Sequence, residues 1–260
     1  MKKKEIIIYI VDWLNKYCDD TGMKGFAIGI SGGIDSALTS TLCAKTGKPV
    51  LCLNMSIHQH EAEHTCAKNH ILWLKENFPN VTSFEIDLTK AFQKIEQTIP
   101  GDIQDWHTMA NTRSRLRMLT LYAFSGNKKL LVAGTGNKVE DFGIGFFTKY
   151  GDGGVDISPI AELMKSEVYA LAKELDIIDL ILKAPPTDGL WPDRRSDEDQ
   201  IGASYDELEW AMNFSAKPTD FSLLTLRQKK VLEIFNKFHQ ANHHKMIPIP
   251  ICIIPKEFKI

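Results

Sequence analysis

Apolar residues recur along this chain in two alternating rhythms. Short runs dense in apolar and β-branched residues, GFAIGI from Gly25, KPVLCLN from Lys48 and VTSFEID from Val81, are each followed by a stretch with helical spacing. Those stretches run from Asp35 to Lys45, Glu61 to Phe78 and Leu88 to Gln97. A longer helical pattern, about Trp106 to Ser125, leads into another buried strand, KKLLVAGT. Strand and helix in alternation predict an α/β fold: an open parallel sheet with helices on both faces, in one domain. The glycine-dense GNKVEDFGIGFFTKYGDGGVDISP that follows is too irregular for a core element. Ala161 to Leu175 and about Thr225 to Phe238 read as helices, KAPPTDGLWPDRRSDEDQ as a proline-rich charged loop, and HHKMIPIPIC as a tail whose prolines forbid helix.

Charge and composition then exclude several classes of function. The formal net charge of -2, from 31 basic and 33 acidic residues, supports neither a nucleic-acid-coating nor a polybasic membrane-binding surface. No apolar segment reaches the length of a membrane span. MKKKEIIIYIVDWLNKY begins like a signal peptide, but Glu5, Asp12, Asn15 and Lys16 interrupt its apolar run and no small-residue cleavage site follows. It reads instead as an amphipathic first helix. Five cysteines (Cys18, Cys43, Cys52, Cys66, Cys252), with no C-x-x-C pair, argue against a zinc ribbon or a disulfide framework and point to a reducing, cytoplasmic compartment.

The densest chemistry lies in the turn after the first strand, Gly29-Ile30-Ser31-Gly32-Gly33-Ile34-Asp35-Ser36. Its G-x-S-x-G letters match a serine nucleophile elbow, but the turn comes too early in the chain and no histidine context follows. Its paired glycines can instead aim backbone N–H groups inward as an anion nest at a helix N-terminus, with Ser31 and Ser36 as hydroxyl donors. Asp35 beside a phosphate demands a bridging cation, which implies Mg²⁺. Asp35 and Ser36 are also ordinary helix-start residues.

SGGIDS after a first strand resembles the pyrophosphate loop of the N-type ATP pyrophosphatases, whose fold is the Rossmann-like adenine nucleotide alpha hydrolase type. N-x-x-x-R-x-R-M, GTGNK-x-E, GFFTKYGDGGVD, the lysine of ISPIAELMK, KAPPT and HHKM, in that order along the chain, resemble the NAD synthetases within that superfamily. The resemblance implies ATP contacts from the turn, Thr135, Lys165 and Thr187. It implies Mg²⁺ ligands at Asp35 and Glu140, and deamido-NAD contacts at Asn111, Arg115, Lys149, Asp156, His244 and Lys245. Asp152 falls at the ammonia site and serves as the candidate base, with Lys165 holding the departing pyrophosphate. The extra residue in KAPPT leaves Pro186 and Thr187 both open for the hydroxyl position, and HHKM leaves His243 and His244 both open. The expected activity is ATP-dependent amidation of deamido-NAD by ammonia through an acyl-adenylate, in a homodimer that has no glutaminase domain. The rival readings are another adenylating amide or thio-transfer enzyme on this scaffold and a nucleotide sensor without turnover.

Overall fold

A computed structural model describes residues 1–58, 61–184, 196–215 and 221–259, without the side chains of 61–64. Four parallel strands, β1 (Gly25–Gly29), β2 (Val50–Ser56), β3 (Val81–Asp87) and β4 (Leu130–Val132), lie in the order β3-β2-β1-β4. Ala133 pairs with Ile157 in a parallel bridge beyond the end of β4. Register pairs Ala27 with Leu51 on one side of β1 and with Val132 on the other.

Alternation along β1 explains why both faces need cover. Phe26 and Ile28 join one core with Leu14 and Cys18 of α1 (Lys3–Asp20) and Leu38 and Leu42 of α2 (Ile34–Lys45). α3 (Glu61–Asn77), α6 (Lys165–Glu174) and α7 (Asp179–Leu182) contribute Leu74, Val168, Leu171 and Ile181 to the same core. Ala27 faces the opposite core, where Phe92 of α4 (Thr89–Glu96) and Met118 and Leu121 of α5 (Trp106–Lys128) pack against Leu51 and Leu53. The expected helix-covered parallel sheet is therefore present.

Three expectations along the chain need correction. The glycine-dense stretch after β4 does hold a core element: Val139–Ile144 forms a π-helical turn with Val139 and Ile144 fully buried. They anchor a third core with Ile201, Tyr205 and Leu208 on α8 (Asp197–Ile201) and α9 (Tyr205–Ser215), and with Val231 and Phe235 on α10 (Leu226–Met246). α10 runs well past Phe238 and carries HHKM as its last turn; the helix stops at Ile247, before Pro248, because proline bars the preceding residue from helical backbone. The helix assigned to Ala161–Leu175 starts instead at Lys165, since 158–163 is occupied by tight turns ending in the Leu163 N–H to Ile160 C=O bond. The chain reading at Pro186 and Thr187 lies outside the described residues.

His70 on α3 is fully buried, its Nε2 2.9 Å from the Ser40 hydroxyl and its ring stacked on Trp73. Burial pulls its imidazole down to about 4, against a weaker opposing interaction with the Ala37 backbone. The folded chain therefore holds His70 neutral where the unfolded chain takes up a proton, so its contribution to stability is complete above about pH 6.5 and is lost as pH falls toward 4. Urea unfolding across that window is expected to show up to about 3 kcal/mol of loss, and His70→Gln should flatten the slope. An unchanged slope contradicts the assignment.

Candidate active site

The chain leaves β1, builds β2 and β3 outward on one side, and returns to place β4 on the other. The carboxyl ends of β1 and β4 thus diverge at a topological switch point, where ligands bind in open α/β sheets. Gly29–Ser36 follows β1 there and Ala133–Gly136 follows β4, and between and above them opens a cavity of about 830 Å³.

The turn after β1 is held from within. Gly32 takes a φ of 91°, which glycine adopts without strain. Ser31 Oγ accepts from the Gly33 N–H at 3.2 Å and lies 3.1 Å from Ser36 Oγ, which donates to the Gly33 carbonyl at 2.9 Å. Among the described residues no histidine bonds Ser31, whose partners are Ser36 and Gly33, so the nucleophile elbow finds no base there. Both serines brace the loop, and α2 begins at Ile34 with its first N–H groups at the cavity.

Lys165 enters at the first position of α6 and is 4% exposed. Its ammonium donates to Asp35 Oδ2 at 2.6 Å and to Glu140 Oε1 at 3.0 Å. Asn137 donates to Asp35 Oδ1 at 3.1 Å, and the Tyr205 hydroxyl donates to Glu140 Oε1 at 2.5 Å. Burial lowers the lysine's affinity for its proton, but Asp35 and Glu140 outweigh it and hold Lys165 above its ordinary range. Burial likewise raises Glu140, yet the charge of Lys165 and the Tyr205 bond keep it ionised. At Asp35 burial outweighs the charge of Lys165 and holds the carboxyl above its ordinary range.

On the opposite wall, Thr148 Oγ1 donates to Asn111 Oδ1 at 2.5 Å, Arg115 Nε donates to the Lys149 carbonyl at 3.2 Å, and Lys149 Nζ donates to the His244 carbonyl at 3.0 Å. α5, the 146–150 loop and the end of α10 thus bring Asn111, Arg115, Lys149 and His244 to one face of the cavity. His244 and Lys245 line it and His243 does not, which favours the former. Asp152 Oδ1 accepts from Ser114 Oγ at 2.6 Å and from the Thr148 N–H at 3.0 Å. Desolvation by surrounding protein raises its carboxyl by more than those bonds lower it.

Gly29, Ile30, Ser31, Ile34, Asp35, Ser36, Thr135 and Glu140 all border the same cavity. Asp156 does not: its Oδ2 accepts from the Val132 N–H at 2.8 Å and its Oδ1 from the Tyr122 hydroxyl at 2.9 Å, so it buttresses the end of β4. Gly32 and Gly33 shape the loop without facing the cavity. The sequence reading missed Tyr205, Asn137 and Arg117. Arg117 lines the cavity and donates to the Met55 carbonyl at 3.0 Å. Of these, Asn137 carried a signal in its place inside GTGNK and Arg117 in its place as the second arginine of N-x-x-x-R-x-R-M.

A loop at a sheet switch point with backbone free to approach a ligand, faced by partly buried acids and a buried lysine, is the arrangement of an α/β nucleotide-binding enzyme. The NAD synthase family model matches residues 6–248, and the chain belongs to that family, whose members are ligases forming a C–N bond. It is 34% identical over 241 residues to the NH(3)-dependent NAD(+) synthetase of Mycoplasma genitalium, covering 92% of this chain and 91% of that one. Among solved structures, it is similar to an NMN synthetase from Francisella tularensis (TM-score 0.83, 32% identity, 98% of this chain and 99% of that one). It is also similar to the NH3-dependent NAD synthetase of Campylobacter jejuni, solved with nitrate (TM-score 0.79, 25% identity, 97% and 100%).

Lys165→Met leaves two partly buried carboxylates without a counter-ion. Urea unfolding at pH 8 should show a loss of about 3–5 kcal/mol that shrinks as the carboxyls protonate toward pH 5. A loss independent of pH would contradict the charge pairing.

Proposed function

We propose that this chain amidates deamido-NAD with ammonia at the expense of ATP, yielding NAD, AMP and pyrophosphate. The observation that carries the reading is the Asp35–Lys165–Glu140 cluster, set beside an anion-binding loop at the sheet's switch point and facing Asp152 across one cavity. A nicotinate carboxylate does not react with ammonia, because its leaving group would be oxide. Its oxygen attacks the α-phosphorus of ATP, the bond to the β-phosphate oxygen breaks, and pyrophosphate departs against the loop N–H groups and Lys165. Asp152 takes a proton from ammonium; the nitrogen attacks the acyl carbon, the bond to AMP breaks, and a second proton leaves the nitrogen.

Among the described residues no group of three or more His, Cys, Asp or Glu forms a metal cluster. Asp35 and Glu140 nevertheless fit Mg²⁺, which proteins hold with one or two carboxylates while phosphate oxygens and water complete the shell. That both already grip one cation, the ammonium of Lys165, supports the fit. Mg²⁺ bound there supplies positive charge to the phosphate oxygens. In the same reading Asn111, Arg115, Lys149, His244 and Lys245 bind deamido-NAD, and Thr135 and Thr187 bind ATP. Asp156, whose carboxylate also holds the end of β4, belongs to the same deamido-NAD set.

A homodimer is supported by Leu119 and Tyr122, exposed on α5, and by Phe84 of β3, which packs on Phe124: an apolar face suited to a second copy. Among the described residues no helix is long and apolar enough to cross a membrane. The unpaired cysteines, three of them buried, support placement in the cytoplasm.

The Francisella tularensis neighbour favours a second acceptor, the nicotinic acid mononucleotide, on the same machinery. Assays with each acid, ATP, Mg²⁺ and ammonium decide between them: a kcat/KM at least about tenfold higher for deamido-NAD is expected, and the reverse ratio moves the acceptor to the mononucleotide. ADP in place of AMP would overturn both. Asp35→Asn should lower kcat by about 100-fold or more while circular dichroism stays native; full activity would remove Asp35 from the chemistry.

A further inference from the structure

Tyr205 is buried at the start of α9, and its hydroxyl carries one proton for two nearby carboxylates: Glu140 Oε1 at 2.5 Å and Asp197 Oδ2 at 3.3 Å. The shorter distance gives the proton to Glu140. The same oxygen, Oε1, accepts from the Lys165 ammonium at 3.0 Å. Glu140 is thus gripped by two donors of different kind, one charged and one neutral.

α9 holds the neutral donor in a fixed place. The Tyr205 N–H donates to Glu198 Oε1 of α8 at 2.7 Å, and Leu208 and Ala211, fully buried, seat the helix in the third core. One turn after Tyr205, Glu209 accepts from the Ser166 N–H at 2.8 Å and from Ser166 Oγ at 2.7 Å. α9 is therefore docked on the first turn of α6, beside Lys165. The hydroxyl meets Glu140 at a position set by packing.

The two donors respond differently to a divalent cation. Lys165 occupies the two carboxylates that fit Mg²⁺, so like charge drives its ammonium away from them once a metal ion binds. The ammonium then turns to phosphate charge. A tyrosine hydroxyl carries no net charge and keeps its bond, and a ligating carboxylate that is itself hydrogen-bonded holds its orientation.

We propose that Tyr205 is a positioning residue for the metal–nucleotide complex: its hydroxyl keeps Glu140 in place for Mg²⁺ when Lys165 turns to the phosphates. The inference rests on the reading of Asp35 and Glu140 as Mg²⁺ ligands in an ATP-using amide synthetase. Tyr205→Phe retains the ring, which lies 4.7 Å from the lysine ammonium, and removes only the hydroxyl.

Calorimetry on the full chain with α,β-methylene-ATP, which cannot be cleaved at the reacting bond, tests this in Mg²⁺ and in EDTA. In Tyr205→Phe the affinity gained from Mg²⁺ should fall about tenfold or more, while affinity in EDTA stays within about twofold of wild type. In steady-state assays the Mg²⁺ concentration for half-maximal rate should rise in step, with kcat at saturating Mg²⁺ changed less than about threefold. Asp197→Asn leaves the Glu140 bond intact and should keep the Mg²⁺ gain within about twofold. An unchanged Mg²⁺ gain in the Phe variant overturns the proposal, as does an equal loss in EDTA or in Asp197→Asn. Loss of the native circular dichroism spectrum in the Phe variant would place the hydroxyl in folding and overturn it too. Wild type that gains affinity from Mg²⁺ but forms no NAD would overturn the functional reading instead, with the Tyr205 assignment still decided by the calorimetry.

Discussion

The ammonium of Lys165, gripped by Asp35 and Glu140, is the interaction on which the site is built. Each partner comes from a different part of the chain: Asp35 from the turn after β1, Glu140 from the π-helical turn after β4, Lys165 from the start of α6. Breaking a buried pair of this kind strands charge in a low-dielectric interior, whereas the intact group holds three backbone segments in register. Tyr205 extends the grip to α9 by its bond to Glu140, and its ring lies 4.7 Å from the lysine ammonium. The third core, which carries α8, α9 and α10, is thereby tied to the sheet at the site itself.

That arrangement divides labour along the cavity. At one end, loop N–H groups, the α2 terminus and Lys165 suit a polyphosphate. At the other, Asn111, Arg115, Lys149 and His244 are linked through backbone carbonyls and the Thr148 hydroxyl into a single wall. Arg115 and Lys149 spend hydrogen bonds on carbonyl oxygens but keep full charge, so they remain suited to an anionic substrate. The acids lie between the two ends, where positive charge is needed once phosphates arrive.

Much of this was legible in the sequence, for identifiable reasons. Short apolar runs and helical spacing announced the sheet and its covering helices, because strands buried on both faces are apolar almost throughout. The SGGIDS turn and GTGNK were readable because backbone approach to a ligand forces glycine. The third core was not, since Val139 and Ile144 are buried in a π-helical turn whose spacing matches neither period. Tyr205 was hidden for a different reason: it reaches the site only through tertiary packing, from a helix 65 residues after its partner.

The central claim is that the acid is activated as an acyl-adenylate. Deamido-NAD carrying ¹⁸O in its nicotinate carboxylate, turned over with unlabelled ATP and ammonium, tests it in one measurement. The account predicts one ¹⁸O in the phosphate of AMP and none in pyrophosphate, read by mass spectrometry of both. AMP free of label, or label carried into inorganic phosphate, would contradict it.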